Sequence, residues 1–369
     1  NMHGVKLHHG RWLWGFSVIM VMQMTPSSAA KPSALFVFGD SLVETGNNNF
    51  LRSIARSNFL PYGIDFSSGA TGRFSNGKIF VDFLCDLMDI PYPPVFADPR
   101  TKGSRMLGGV NYASAAGGIL DETGQHYGDR YSFRHQVKNF KSTLNKLGSE
   151  VAGVNFTDYL VNSIAVIVFG SNDYINNYLM PSIYSSSYNY SPSEFAHVLL
   201  NTYAGQLQEL HDLGLRKFFI AGVGPLGCLP IQRASRQIRA DTCVDHVNQM
   251  LGAFNAGLRS LVDQMNSNPE TIFVYGNTYH AMGDILNSPA TYGLRVVNRG
   301  CCRIGIATAQ EMCLPFVVPC KDRSQYAFWD GYHPTEAVDV LLARWAFSGS
   351  QDVAYPINIQ QMITLNPKI

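Results

Sequence analysis

The sequence predicts an α/β protein: a mostly parallel central sheet with helices on both faces, a three-layer α/β/α sandwich. Two observations lead there. Short apolar runs alternate along the chain with longer segments of helical periodicity. Those short runs are apolar throughout rather than at every second residue. Strands buried on both faces read this way, and they belong to parallel sheets whose crossovers cover both sides.

The elements follow in order. Ala34 to Phe38, ending at Gly39, reads as a first buried strand. Lys78 to Ile90 places Ile79, Phe83, Leu84, Leu87 and Met88 near one helical face. Gly109 to Ser114 reads as another strand, and Gln136 to Leu147 as a helix through Val137, Phe140, Leu144 and Leu147. Ile164 to Phe169 is apolar at every position and is the clearest strand. A helix from Ser193 to Leu213 has Ser193 placed as its cap. Tyr184 to Ser193, rich in Tyr and Ser, reads as an exposed loop. Lys217 to Ala221 is then a strand, Val244 to Met265 a long helix, and Thr271 to Tyr275 a further strand. Right-handed crossovers place the loops after these strands along one sheet edge, where ligands bind in such folds.

Composition narrows the class. With 369 residues, 46% hydrophobic and 15% charged, the chain can bury a large core and does not read as disordered. Its 28 basic and 27 acidic residues leave a net charge of +1, so no basic excess points to nucleic acid. Lys6, His8, His9 and Arg11 precede an apolar stretch from Trp12 to Met24, followed by Ser27-Ser28-Ala29-Ala30. That order is a secretory leader, with cleavage expected after Ala30. The stretch is too short and interrupted to span a bilayer, so no stable membrane insertion is expected after cleavage. The remaining residues, 31–369, carry no linker, composition shift or repeat and read as one domain. The expected location is secreted, extracellular or in the cell wall.

Secretion sets how the seven cysteines are read. Cys228, Cys243, Cys301, Cys302, Cys313 and Cys320 are an even group suited to disulfides, with Cys228 and Cys243 a reasonable local pair and the remaining connectivity open. A zinc site at Cys301 to Cys320 would want CxxC spacing and neighbouring histidines, which that segment lacks. Cys85 falls in an apolar helical pattern, where a free thiol simply packs. Asn155-Phe156-Thr157 and Asn189-Tyr190-Ser191 are glycosylation sequons.

Three strand ends and one late loop carry candidate chemistry. Ser41 follows the first strand directly, and Gly39 permits the sharp turn that exposes a nucleophilic hydroxyl; alone, the serine would read as a helix cap. Asp330-Gly331-Tyr332-His333-Pro334 sets an aspartate three residues before a histidine, able to accept its Nδ1 proton and leave Nε2 as a base. Pro334 disfavours helical geometry at His333. Asn172, in Gly170-Ser171-Asn172-Asp173, stands where its amide can donate to a developing oxyanion. Ala115-Ala116-Gly117-Gly118 can bring a backbone N–H close to the same point.

Taken together these blocks resemble the plant GDSL esterase/lipase family, within the wider SGNH hydrolase group. The similarity runs over nearly all of residues 31–369. It is carried by Phe38-Gly39-Asp40-Ser41-Leu42 continuing to Thr45-Gly46-Asn47-Asn48-Asn49, by Gly109-Val110-Asn111-Tyr112-Ala113-Ser114, by Gly170-Ser171-Asn172-Asp173-Tyr174, and by Phe328-Trp329-Asp330-Gly331-Tyr332-His333-Pro334-Thr335-Glu336. The resemblance implies an SGNH-hydrolase-like fold, Ser41 as nucleophile, His333 as base and Asp330 as its orienting partner. It also implies an oxyanion hole from the Ser41 N–H, the N–H of Gly117 (Gly118 being the alternative) and the Asn172 amide. Ala115 and Ala116 stand where many members carry glycine, and Cys301-Cys302-Arg303 departs from the usual Cys-Cys-Gly.

The implied function is ester hydrolysis of lipid-like or acylated substrates, without metal or organic cofactor. One alternative is transacylation, since some members of the resembled family build cutin. Another is a secreted carbohydrate- or lipid-binding protein without turnover. Gly222-Val223-Gly224-Pro225-Leu226-Gly227 mimics a dinucleotide fingerprint, but Pro225 removes a backbone donor, Pro230 interrupts the expected helix and no acidic residue stands about twenty positions on at a following strand end. GxSxG occurs nowhere, so Ser41 has no rival from the usual lipase elbow.

Overall fold

A computed structural model describes residues 31–235, 242–303 and 312–367. The expected leader, residues 1–30, lies outside the described residues. Four parallel strands form the main sheet in chain order: β1 (Leu35–Gly39), β2 (Ile164–Val168), β3 (Lys217–Ala221) and β4 (Ile272–Gly276). They pair in step, with Leu35 beside Ile164, Ile164 beside Lys217 and Lys217 beside Ile272. A second small sheet pairs β5 (Val296–Gly300) with β6 (Tyr326–Phe328). The two-residue β7 (Ala354–Tyr355) closes the main sheet antiparallel to β4.

Alternate residues of these strands feed two separate cores, which is why the strands read as unbroken apolar runs. Phe36, Phe38, Ala165, Ile167, Phe218, Ile220 and Phe273 face α2 (Phe133–Glu150), α3 (Pro192–Asp212) and α4 (Asp245–Met265). Leu35, Val37, Val166, Val168, Phe219 and Val274 belong to the opposite core, with residues of α1 (Phe80–Met88), α6 (Glu336–Ser348) and α7 (Ile359–Thr364). Between them in sequence, α5 (Thr278–Asn287) follows β4. The three-layer α/β/α sandwich is therefore the architecture. Packing across strands is close: the Phe218 and Phe273 rings stack with centroids 4.3 Å apart, a geometry that adds about 1 kcal/mol beyond area burial.

Two expectations are corrected. Gly109 to Ser114 is not a regular strand. It runs along the free edge of β1, with Tyr112 N–H donating to Val37 O (2.8 Å) and Ser114 N–H to Gly39 O (3.0 Å). Its middle is diverted by Asn111, whose side chain accepts the Ala113 N–H at 2.9 Å and competes with ladder pairing. The cap of α3 is Ser191 rather than Ser193. Pro192 takes the first helical position, where a missing N–H costs nothing, and Glu194 completes a reciprocal capping box. The Tyr184 to Ser193 stretch contains a short helical turn, Ser186–Asn189, and buries Tyr184 while most of the remainder is exposed.

Six cysteines form Cys228–Cys243, Cys301–Cys320 and Cys302–Cys313, and Cys85 is free and buried. Two of the disulfides tie the segment after β5 back to it. The carboxyl ends of β1, β2 and β3 and the turn after β6 converge on one edge, where the candidate residues lie.

Candidate active site

Ser41 sits two residues beyond the end of β1. The turn requires Gly39, because a Cβ there would lie 2.6 Å from the Val168 carbonyl oxygen. Gln136 of α2 holds that strand end from the side. Its Oε1 accepts the Gly39 N–H at 2.8 Å and its Nε2 donates to Gly39 O at 2.8 Å and Tyr131 O at 2.9 Å.

His333 Nε2 stands 2.8 Å from Ser41 Oγ, across 292 residues of sequence. Its Nδ1 lies 2.8 Å and 2.9 Å from the two Asp330 carboxylate oxygens. Asp330 Oδ1 also accepts the backbone N–H groups of Tyr332 (2.9 Å) and His333 (2.8 Å), so the carboxylate folds the turn around itself. Both side chains are buried, and the Phe74 ring backs the imidazole with centroids 4.9 Å apart. The turn is anchored to the small sheet, since Cys302 N–H donates to Trp329 O (2.7 Å) and Trp329 N–H to His333 O (2.8 Å).

Asn172 lies just past β2 and lines the same cavity as Ser41 and His333. Its amide is fixed at both ends: Nδ2 donates to Gly117 O at 3.0 Å and Oδ1 accepts from Asn176 Nδ2 at 2.6 Å. One Nδ2 hydrogen remains for another acceptor.

The Gly117 expectation is not met. Its N–H closes a turn onto Ser114 O at 3.0 Å, and neither Gly117 nor Gly118 lines the cavity. Ala115 and Ala116 line it instead. The Ala115 N–H is taken by Glu44 Oε2 (2.7 Å) and Asn48 Oδ1 (3.1 Å). Ala116 adopts φ of +64°, a left-handed conformation that favours glycine. That strain turns the chain one residue earlier than expected. The role left to Gly117 is its carbonyl, which orients Asn172.

Sequence reasoning missed the supports. Tyr62 Oη donates to Asp330 Oδ2 at 2.7 Å and accepts the Cys313 N–H at 3.1 Å. Burial and the adjacent Asp330 charge push its phenol well above the usual tyrosine range. Glu44 clamps the Asn48 and Ala115 N–H groups. Asp173 accepts the N–H groups of Ile119 and Leu120 and the Thr123 hydroxyl. Asp40 accepts the Leu42 N–H through Oδ1, while its Oδ2 is buried without a partner. Burial raises the carboxyl of Asp40 to about 7, of Glu44 to about 8 and of Asp173 to about 6.

The cleft at Ser41 encloses about 940 Å³ of space outside the protein atoms, its solvent-open mouth included. Asp40 and His333 line it beside the serine; towards α5 and α6 the walls are apolar, with Leu226, Leu229, Met282, Phe328 and Leu342. The dinucleotide-like run contributes Gly224, Pro225 and Leu226 to this wall. A half-buried serine backed by a buried histidine and aspartate and opening on an apolar cavity is suited to acyl transfer.

A family model described as GDSL-like lipase/acylhydrolase matches residues 35–346. The GDSL esterase/lipase At1g71250 of Arabidopsis thaliana is 54% identical, over 99% of this chain and 99% of its own length. Two others from Arabidopsis thaliana are similar: At5g08460 at 49% identity, over 95% of this chain and 93% of its own, and At1g29670 at 46%, over 95% and 96%.

Proposed function

The chain belongs to the GDSL-like lipase/acylhydrolase family and is an ester-bond hydrolase, and from that premise we propose two-step acyl transfer through Ser41, His333 and Asp330. The observation that carries the proposal is the 2.8 Å contact between His333 Nε2 and Ser41 Oγ, with Asp330 on the other ring nitrogen. Ser41 Oγ attacks the ester carbonyl carbon as its proton passes to His333 Nε2. Asp330 holds the ring and stabilises the imidazolium. The tetrahedral oxyanion is received by the N–H groups of Ser41 and Ala116 and the remaining Asn172 Nδ2 hydrogen. As the carbon–oxygen bond to the alcohol breaks, His333 returns the proton to the leaving alcohol. Water then attacks the acyl-enzyme, gives its proton to His333, and releases the carboxylic acid with Ser41 restored.

We also assign residues 1–30 as a leader and 31–369 as one secreted catalytic domain. Three disulfides support that assignment, as do the exposed positions of Asn155 and Asn189, the proposed glycan acceptors.

Ser41→Ala in secreted, folded protein is expected to lower kcat on p-nitrophenyl esters by roughly a million-fold and to abolish labelling by a fluorophosphonate probe. Turnover retained near the parent level would exclude Ser41 as nucleophile.

A further inference from the structure

Beside the catalytic cavity lies a second, apolar-lined cleft between the sheet and α6, enclosing about 550 Å³ with its solvent-open mouth included. Leu42, Thr278, Pro334 and Leu342 line both spaces, so a single layer of side chains divides them. Its floor is the carboxyl end of β2 and β3. Val168 and Ala221 there are 9% and 6% accessible, against 0% for Val166 and Val274 on the same face. The far wall is Phe80, Ala281, Trp345 and Ala346. Among the described residues no Lys, Arg or His lines this chamber, and the one carboxyl that does, Asp339, is driven towards the uncharged form by burial.

Resting on the acyl-transfer reading above, we propose that this chamber receives the distal end of a long aliphatic acyl chain. The chain starts at Ser41, follows the apolar wall of Leu226, Met282 and Phe328, and passes between Leu42 and Leu342 into the space over Val168 and Ala221. The bound class is therefore an ester of a long-chain, uncharged carboxylic acid. An acetylated polysaccharide needs only a small acyl pocket and would leave the second space empty. A charged acyl group finds no counter-charge on this path. Substrate carbons that reach the second chamber remove apolar surface from water at each methylene, which is the physical basis of length selectivity.

The test is kcat/KM on p-nitrophenyl acetate, butyrate, octanoate and laurate. In the parent protein the value rises along the series, by roughly three- to fourfold for each methylene newly buried. Ala281→Trp fills the second chamber from α5 and is expected to lower the laurate-to-acetate ratio by roughly tenfold or more. If Ala281→Trp loses acetate turnover through misfolding, the smaller Ala346→Leu is read on the same ratio. A flat or falling profile in the parent protein overturns the chamber assignment while leaving acyl transfer intact. So does a rising profile whose ratio is untouched in an acetate-cleaving variant. A parent protein that cleaves no member of the series overturns the acyl-transfer reading itself.

Discussion

At the scale of residues, the candidate triad has a fourth member. Asp330 must present its charge to His333 at a fixed angle, and Tyr62 fixes the carboxylate from the far side. Tyr62 does not line the cavity, so its loss acts on alignment rather than on substrate binding. Tyr62→Phe is expected to lower kcat roughly tenfold to a hundredfold with KM little changed. Steady-state kinetics on a soluble ester, beside a circular dichroism spectrum, checks this; an unchanged kcat would show that Tyr62 only packs. Ser41, Asn172, Asp330 and His333 were legible in sequence because each stands at a strand end or within a short motif. Tyr62 was not, since its partner lies 268 residues away. Nor was Glu44, whose role depends on burial among backbone donors. Gly117 misled for a physical reason: glycine marks a close approach, and here the approach belongs to its carbonyl while Ala116 makes the turn.

At the scale of elements, the strands and long helices were legible because a sheet covered on both faces leaves continuous apolar runs, and helices leave a 3.6-residue stripe. What escaped were the polar fittings at their ends. Helix α1 begins at a buried ion pair: Arg73 makes two 2.7 Å bonds to the Asp82 carboxylate, which also accepts the Ile79 N–H at 2.9 Å. Both side chains are almost fully buried. Such a pair adds little over an apolar substitute, yet breaking it leaves a charge stranded. Arg73→Met is therefore expected to lower the unfolding free energy by about 3–5 kcal/mol, and Arg73→Met with Asp82→Leu to recover part of it. Urea unfolding of the two variants checks the order; a double variant less stable than the single one would contradict it. The start of α3 is another such fitting: Pro192 occupies the first helical position, so Ser191 rather than Ser193 is the cap.

At the scale of the molecule, an unusual share of the site's scaffolding is buried acid. Asp40, Glu44 and Asp173 each have a folded pKa raised above the unfolded one, to about 7, 8 and 6. The folded state therefore holds protons that the unfolded chain has already released. The stabilising contribution is complete below about pH 4 and is lost as pH rises through about 6 to 8. Tm is expected to fall between about pH 5 and about pH 9, and Asp40→Asn, which keeps an acceptor for the Leu42 N–H, to flatten part of that slope. Thermal melts across the range check it; an identical slope in the variant would remove Asp40 from the account. The hold of Gln136 on Gly39 has a consequence of another kind. One side chain there accepts the N–H and donates to the carbonyl of a single residue, bridging its two flanking peptide units, much as one base reads another. Glutamate lacks the donor, leucine lacks both, and asparagine falls a carbon short. Position 136, on a helix that never meets the substrate, is thus as narrowly spelled as the serine it steadies, and the chain's freedom to vary ends well outside its chemistry.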